Sequence, residues 1–102
     1  MPRLVSLIIM TVLLLTACAG PASDVKFVEL YRVSCAGCHG ADLSGGIGSP
    51  VGPGSNSAEN LTDDQLWGAI AVGPGAMPGF GGSLTAAQID SLVDYLRSEQ
   101  GP

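Results

Sequence analysis

Residues 35 to 39 read Cys35-Ala36-Gly37-Cys38-His39, which places two thiols three positions apart and an imidazole directly after the second thiol. This C-x-x-C-H spacing is typical of covalent haem attachment. The two thiols can add across the two vinyl groups on one side of a porphyrin, and His39 can then reach the iron from the proximal face. Ala36 and Gly37 are small enough for the peptide to lie close to the ring. The motif therefore predicts one covalently bound haem c, with its iron, per chain.

Three other interpretations of the same motif remain open. A redox-active dithiol is usually found where a strand runs into a helix, and the sequence before Cys35 predicts no strand. A structural zinc site normally needs four protein ligands, whereas the motif supplies three. A plain disulfide between Cys35 and Cys38 would suit an oxidising compartment. Haem attachment is favoured because it uses both thiols and the imidazole together.

Met77 is the expected sixth ligand of the iron, opposite His39. Beyond the N-terminal segment that contains Met1 and Met10, His39 is the only histidine and Met77 the only methionine. Met77 lies in the irregular run Gly75-Ala-Met-Pro-Gly79, which can present one side chain to the distal face. The alternative is a loop methionine packed beside an open haem site. Thioether ligation raises the reduction potential of haem, and six-coordinate iron has no vacancy for oxygen, so this ligand pair favours electron transfer.

The N-terminus is typical of an export signal. Arg3 precedes an apolar segment, residues 4–15, which is shorter than the roughly 20 residues that a membrane span needs. Leu15-Thr-Ala-Cys18 then resembles the lipobox of bacterial lipoproteins, in which the cysteine is acylated and becomes the first residue. Ordinary cleavage after Ala19 is the alternative, and an uncleaved membrane anchor is a third.

These features divide the chain into three parts. We expect a lipoprotein signal peptide over residues 1–17, a flexible tether over residues 18–23 and one small domain over residues 24–100. Lipidation of Cys18 would account for the cysteine that the haem motif leaves over. Acyl chains at that position would provide a membrane anchor.

The charge of the chain argues against binding to nucleic acids. The whole chain has a formal net charge of −5, and loss of Arg3 with the signal peptide makes it one unit more negative. Nucleic-acid-binding domains instead carry clustered lysine and arginine residues. The carboxylates are scattered, as expected of a solvated acidic surface.

Helix signals alternate with glycine- and proline-rich segments. Asp24 is a candidate cap for a helix that ends near Ser34. The patterns Thr62-x-x-Gln65 and Thr85-x-x-Gln88 are capping boxes, each followed by apolar residues at helical spacing. Residues 40–60 show no periodicity and are expected to wrap the cofactor. The sequence therefore predicts an all-α fold with three or more helices around one haem.

As a whole, residues 24–99 resemble the class I c-type cytochromes, the small single-haem type found in bacteria. The positions that carry the resemblance are Tyr31 four residues before the first thiol, the Cys35–Gly40 motif, the Gly52-Pro53-Gly54 turn, Met77-Pro78 and Tyr95. The resemblance implies the cytochrome c fold, with Tyr95 helping to pack the last helix on the first. It also implies that the carbonyl of Pro53, or alternatively of Pro50, accepts a hydrogen bond from the ring of His39.

Two features depart from the family pattern. Phe27 stands where the family often has a glycine that allows the first and last helices to cross closely. The chain also lacks the ring of lysines that soluble members often carry around the haem edge, which makes docking to an acidic partner by that route doubtful.

Two aromatic residues are weaker candidates for contact with the cofactor. Trp67 could direct its indole N–H towards a haem propionate, or it could be an ordinary core residue. Phe80 could cover the haem edge, or it could simply anchor its loop.

The predicted function is one-electron transfer without conversion of a substrate. The expected partners are redox proteins or respiratory and photosynthetic membrane complexes. The expected location is the outer face of a bacterial cytoplasmic membrane, or the periplasm. A haem enzyme or gas sensor with a displaceable sixth ligand is one alternative, and a haem-free lipoprotein with a disulfide is another.

Overall fold

The computed structural model describes residues 22–102, and over that part of the chain it consists of helices and loops without strands. In chain order the helices are α1 (Ala22–Ser34), α2 (Ala36–His39), α3 (Asn56–Asn60), α4 (Asp63–Val72) and α5 (Ala86–Gln100). This arrangement confirms the all-α prediction. Within the same residues, no helix has the length and apolar character required to cross a membrane.

The start of α1 differs from the prediction. The predicted signal peptide, Cys18 and most of the tether lie outside the described residues. The last two tether residues, Ala22 and Ser23, already belong to α1. Asp24 therefore lies within the helix, after its first two residues.

The two predicted capping boxes are present, and they begin α4 and α5. The Thr62 hydroxyl accepts from the Gln65 backbone N–H, and the Gln65 side chain accepts from the Thr62 N–H at 2.9 Å. Thr85 and Gln88 form the same reciprocal pair at the start of α5. Each such cap stabilises a helix by about 1 kcal/mol. These local signals set where α4 and α5 begin.

The core is formed where α1 and α4 pack against α5. Its fully buried centre is the face of α5 that carries Ile89 and Leu92. Tyr31 from α1 is only 2% exposed and lies against Tyr95, with ring centroids 5.2 Å apart and planes inclined at 44°. The aromatic contact confirms that Tyr95 packs the last helix on the first.

The segment without periodicity contains a short helix that its composition did not predict. Ser55 caps α3 by accepting from the Ala58 N–H. Earlier in the segment, Leu43 has a φ of 64° and is only 4% exposed. A left-handed conformation is uncommon for a leucine, and burial of its apolar side chain offsets the strain. The segment is thus ordered by a few specific contacts.

Arg97 on α5 fastens this segment to the last helix. Its guanidinium donates to the carbonyls of Ser57 and Leu61 at 2.8 and 2.6 Å, and to the carboxylate of Asp63 at 2.7 Å. It also donates to Gln100, whose amide reaches the carbonyl of Val51 at 2.9 Å. One arginine side chain, 25% exposed, therefore joins three elements of the fold.

Replacement of Arg97 by alanine should lower the free energy of unfolding by about 2–3 kcal/mol, because it leaves partly buried carbonyls without donors. Denaturant titration of the purified protein measures the loss. Arg32→Ala is the matched control, since Arg32 pairs with Glu29 one turn earlier on the same helix and its side chain is 68% exposed. An equal effect of the two substitutions would contradict the structural role of Arg97.

Candidate functional site

The C-x-x-C-H motif lies at the break between α1 and α2. Cys35 ends α1 by donating its N–H to the Tyr31 carbonyl at 2.8 Å, and its own carbonyl accepts from the His39 N–H at 3.0 Å. Residues spaced i, i+3 and i+4 lie on one face of a helical turn. The single turn of α2 therefore presents Cys35, Cys38 and His39 side by side.

Both thiols of the motif are free. Cys38 is exposed, and Cys35 is partly buried against the core. Burial, and to a lesser extent the neighbouring Cys38, raises the pKa of the Cys35 thiol to about 11. A partly buried thiol with a raised pKa is unlike the nucleophile of a reactive dithiol, which needs a depressed pKa.

The His39 ring is oriented by the carbonyl of Ser49, which lies 2.7 Å from Nδ1. A carbonyl can only accept, so this contact places the proton on Nδ1 and leaves the lone pair of Nε2 for a metal. The prediction that Pro53 supplies this carbonyl is wrong, and so is its alternative, Pro50. The loop reaches the His39 ring at Ser49, before the Gly52-Pro53-Gly54 turn, because the Gly48 N–H donates to the Cys38 carbonyl at 2.8 Å.

Gly48 makes this return possible through a close approach. A Cβ at position 48 would lie 2.9 Å from both Nδ1 and Cε1 of His39. Only glycine allows the loop to pass so near the imidazole with Ser49 directed at Nδ1. Sequence reasoning missed both residues, although the Gly-Ser-Pro run ten residues after the histidine was visible.

Met77 is held in a loop that folds back on the end of α4. The Phe80 N–H donates to the Ile70 carbonyl at 2.9 Å, and the Gly81 N–H donates to the Ala71 carbonyl at 3.0 Å. A Cβ at Gly79 would lie 2.5 Å from the Val72 carbonyl oxygen, so this contact between backbones requires glycine. The loop is therefore docked on α4 by its backbone, which leaves the Met77 side chain available.

Two adjoining cavities bring the predicted ligands together. The larger has a volume of about 300 Å³ and is lined by both cysteines of the motif, His39, Met77 and Phe80 among others. The second, of about 200 Å³, shares Cys35, His39 and Met77 and extends into the core as far as Leu92 and Leu96. Apolar side chains with a few converging polar atoms are typical of cofactor sites.

The residues of the cavities fit a haem. Two thiols lie at its edge, an imidazole nitrogen is free on one side, and the thioether of Met77 comes from a separate loop. Phe80 lines the larger cavity, and its backbone also anchors the loop to α4, so both of its predicted roles remain open. Over residues 22–102, no three His, Cys, Asp or Glu side chains are grouped so as to hold a metal ion by themselves.

Trp67 does not take part in this site, which corrects its prediction as a contact of the cofactor. Its indole N–H donates to the carboxylate of Asp90 at 2.9 Å. Trp67 lines neither cavity and instead joins α4 to α5 on an acidic part of the surface. The alternative that it has a packing role is the one that the structure supports.

Tyr31 is a further residue near the site whose contact the sequence did not reveal. Its hydroxyl donates to the Gly40 carbonyl at 2.7 Å, directly after the motif. Burial, followed by the nearby Cys35 thiol, raises the pKa of Tyr31 to about 12. The phenol therefore stays protonated and holds the end of α2 against the core.

Comparisons with known proteins agree with this geometry. The family model described as cytochrome c oxidase, cbb3-type, subunit III matches residues 25–96. Cytochrome c55X of Paracoccus denitrificans is 36% identical over 87 residues, which cover 79% of this chain and 82% of that protein. A solved structure of the c-type cytochrome NirC matches with a TM-score of 0.65 and 27% identity, covering 81% of this chain and 99% of that one.

A third relative is much longer than this chain. The dihydro-heme d1 dehydrogenase of Pseudomonas aeruginosa is 40% identical over 85 residues, which are 81% of this chain but only 17% of that protein. The shared part is thus about one domain in size. Since the family model spans well over half of the sequence, the chain belongs to the c-type cytochrome family that this model describes, and its cofactor is one covalently bound haem c with iron.

Proposed function

We propose that this protein is a one-electron carrier whose haem iron is ligated by His39 and Met77. The family to which it belongs points to electron transfer in general. The observation that carries the finer proposal is that His39 and Met77, from two separate segments, line the same pair of cavities.

When bound, the haem supplies an iron centre that changes its charge by one electron. The protein contributes attachment, orientation and exclusion of water. Cys35 and Cys38 retain the cofactor through thioether bonds. The Ser49 carbonyl keeps the proton on Nδ1 of His39, which directs Nε2 at the metal. If Met77 also ligated the iron, no position would be left for a substrate, so we propose no conversion of substrate by this chain.

We further propose that the partners are respiratory or photosynthetic membrane complexes. The description of the matching family model refers to a subunit of an oxidase. One relative is called a dehydrogenase, and the part shared with it is a small fraction of its length, as expected of an electron-transfer module within a larger oxidoreductase. A haem domain of this kind would pass single electrons between such enzymes.

The location that we propose is the outer face of a bacterial cytoplasmic membrane, with the periplasm as the alternative. The lipobox ending in Cys18 and the apolar segment before it support this proposal. Dual or triple acylation of one cysteine would suffice for stable anchoring, whereas a single chain would not. The domain would then remain near the membrane complexes it serves.

Substitution of Met77 by alanine should open the sixth position of the iron. The family's methionine–iron bond gives a weak far-red absorption band in the oxidised form, and this band should disappear. The reduced variant should bind carbon monoxide rapidly, whereas the unsubstituted protein should not. Val28→Ala is the control, because Val28 borders the groove between α1 and α5, is 49% exposed and lines neither cavity. Rapid binding of carbon monoxide by the unsubstituted protein would favour the enzyme or sensor alternative.

Substitution of Gly79 by alanine should weaken the bond between Met77 and the iron without removing the ligand. The added Cβ would collide with the Val72 carbonyl and displace the loop from α4. The far-red band should therefore vanish at a lower guanidinium concentration than in the unsubstituted protein. Gly82→Ala is a matched control in the same loop, because a Cβ there meets no atom within 4 Å. Identical midpoints for the two variants would show that the docking of this loop does not govern ligation.

Replacement of Cys18 by alanine should release the haem protein from the membrane fraction. Intact mass spectrometry of the unsubstituted protein should show one haem, cleavage before Cys18 and added acyl chains. The variant should retain the haem but lose the acyl mass. A mass that corresponds to cleavage after Ala19 would instead establish simple secretion.

A further inference from the structure

Charged residues are absent from every segment that lines the larger cavity. Asp, Glu, Lys and Arg do not occur in residues 33–41, 43–58 or 65–89. The lining of this cavity comes from these three segments alone. We call its exposed rim the neutral face, which consists of Cys38, Ile47, Ser49, Pro74, Ala76, Pro78 and the partly buried Phe80.

The neutral face is also unusually apolar for a solvent-exposed surface. Ile47, in its rim, is 93% exposed. Val72 is 80% exposed and borders the loop that supplies Pro74 and Pro78, because its carbonyl lies against Gly79. Large apolar side chains grouped around a functional cavity are typical of an interaction site.

Most of the negative charge of the protein lies elsewhere, and Asp42, in the loop after the motif, bonds to Ser44 and lines neither cavity. Asp63, Asp64, Asp90 and Asp94 surround Trp67 in a shallow depression between α4 and α5. Asp94 and Glu99 border the groove between α1 and α5. None of these carboxylates lines either of the two cavities that hold the ligands.

From this separation of charge, we infer that the protein docks its redox partner through the neutral face, and that the partner presents an uncharged, apolar surface around its own cofactor. A charge on the partner would be buried against Ile47 and Pro78 without a counter-charge, which is costly. A basic partner would instead be attracted to the carboxylates of α4 and α5, on a surface that contains none of the cavity residues. This inference rests on the proposed function and names the partner's chemistry.

Electrostatic steering of a docking reaction is recognised by its dependence on salt. Between about 0.1 M and 1 M ionic strength, the Debye length falls from about 10 Å to about 3 Å, so that only charges near the docking site act. Electron exchange of the holoprotein with ferricyanide, tris(phenanthroline)cobalt(III) and a neutral quinol should then change less than about twofold over this range. The inference would be contradicted if salt changed the rate with ferricyanide in one direction and the rate with the cobalt complex in the other, each by more than about threefold. Carboxylates would then govern the approach of reagents to the neutral face.

A lysine placed on the neutral face should make the reaction rate depend on ionic strength, which the unsubstituted protein should not show. Ile47→Lys should accelerate reaction with ferricyanide about threefold at 0.1 M and should lose this effect at 1 M. Val72→Lys, beside the loop that supplies Pro74 and Pro78, should have the same effect and covers the case in which the first variant fails to load haem. Val28→Lys adds the same charge to an exposed apolar site on α1, outside the neutral face, and should have little effect. An equal response of all three variants would overturn the assignment.

The physiological partner gives the decisive contrast. Reoxidation of the reduced holoprotein by membranes of the source organism should be independent of salt over the same range. Ile47→Lys should slow it about tenfold at both ends of the range, because the cost of a buried, unpaired charge is not screened. A rate that recovers fully at 1 M would show that the residue is not buried at the interface.

A readout that does not depend on electron transfer completes the test. Paramagnetic hexaamminechromium(III) should broaden amide signals of residues 90–99 and leave those of residues 46–48 and 76–80 sharp. Broadening of both groups alike would contradict the neutral face.

Two other occupants of the neutral face would give different results. If the protein bound phosphatidylcholine vesicles and Ile47→Lys abolished this binding, the occupant would be a lipid surface. If the protein formed dimers and the same variant abolished them, the occupant would be a second copy. If none of the three redox reagents exchanges electrons with the holoprotein, the proposed function fails. If electrons are exchanged but the rates depend on salt as expected of reaction near carboxylates, only this inference fails.

Discussion

The spacing of two thiols and an imidazole on one helical turn constrains the rest of the site. Because Cys35, Cys38 and His39 occupy positions i, i+3 and i+4, α2 must present them to one side, and the cavity must open there. Tyr31 holds the start of this turn through its carbonyl and the end through its hydroxyl. The attachment motif is thereby connected directly to the contact between α1 and α5.

The two sides of the cavity are built by different means. On the side of His39, a loop approaches the ring closely enough that only Gly48 fits, and the Ser49 carbonyl then selects the tautomer. On the side of Met77, a loop is docked backbone to backbone on the last turn of α4. The capping box at Thr62 fixes where α4 starts, and its length then decides where the loop with Met77 is attached. A helix start fourteen residues away thus influences the position of Met77, the proposed ligand.

Separation of charge gives the molecule two different surfaces. Carboxylates concentrate along α4 and α5, where Arg97 and Trp67 use two of them, Asp63 and Asp90, for structural contacts. The rim of the cavity is uncharged, and Ile47 is its most exposed apolar residue. If the protein docks through this rim, as we propose, it does not need long-range attraction there. Contact would depend on desolvation of apolar area, which salt does not screen.

Short-range sequence patterns were sufficient to predict the cofactor, two helix starts and a candidate ligand of this protein. The spacing of the motif indicated the cofactor, two capping boxes marked the starts of α4 and α5, and elimination left Met77 as the candidate ligand. Each of these inferences depends on residues within about four positions of one another, or on counting residue types. The local sequence contains all the physical information that such inferences use.

Tertiary structure decided the contacts that join distant segments. Ser49 rather than Pro53 orients His39, Trp67 bonds to Asp90 rather than facing the cofactor, and Arg97 reaches carbonyls far along the chain. In each case several donors or acceptors of the right type were available in the sequence. Which one is used depends on how closely two backbones approach, and that distance is set by the packing of α1, α4 and α5 rather than by any local pattern.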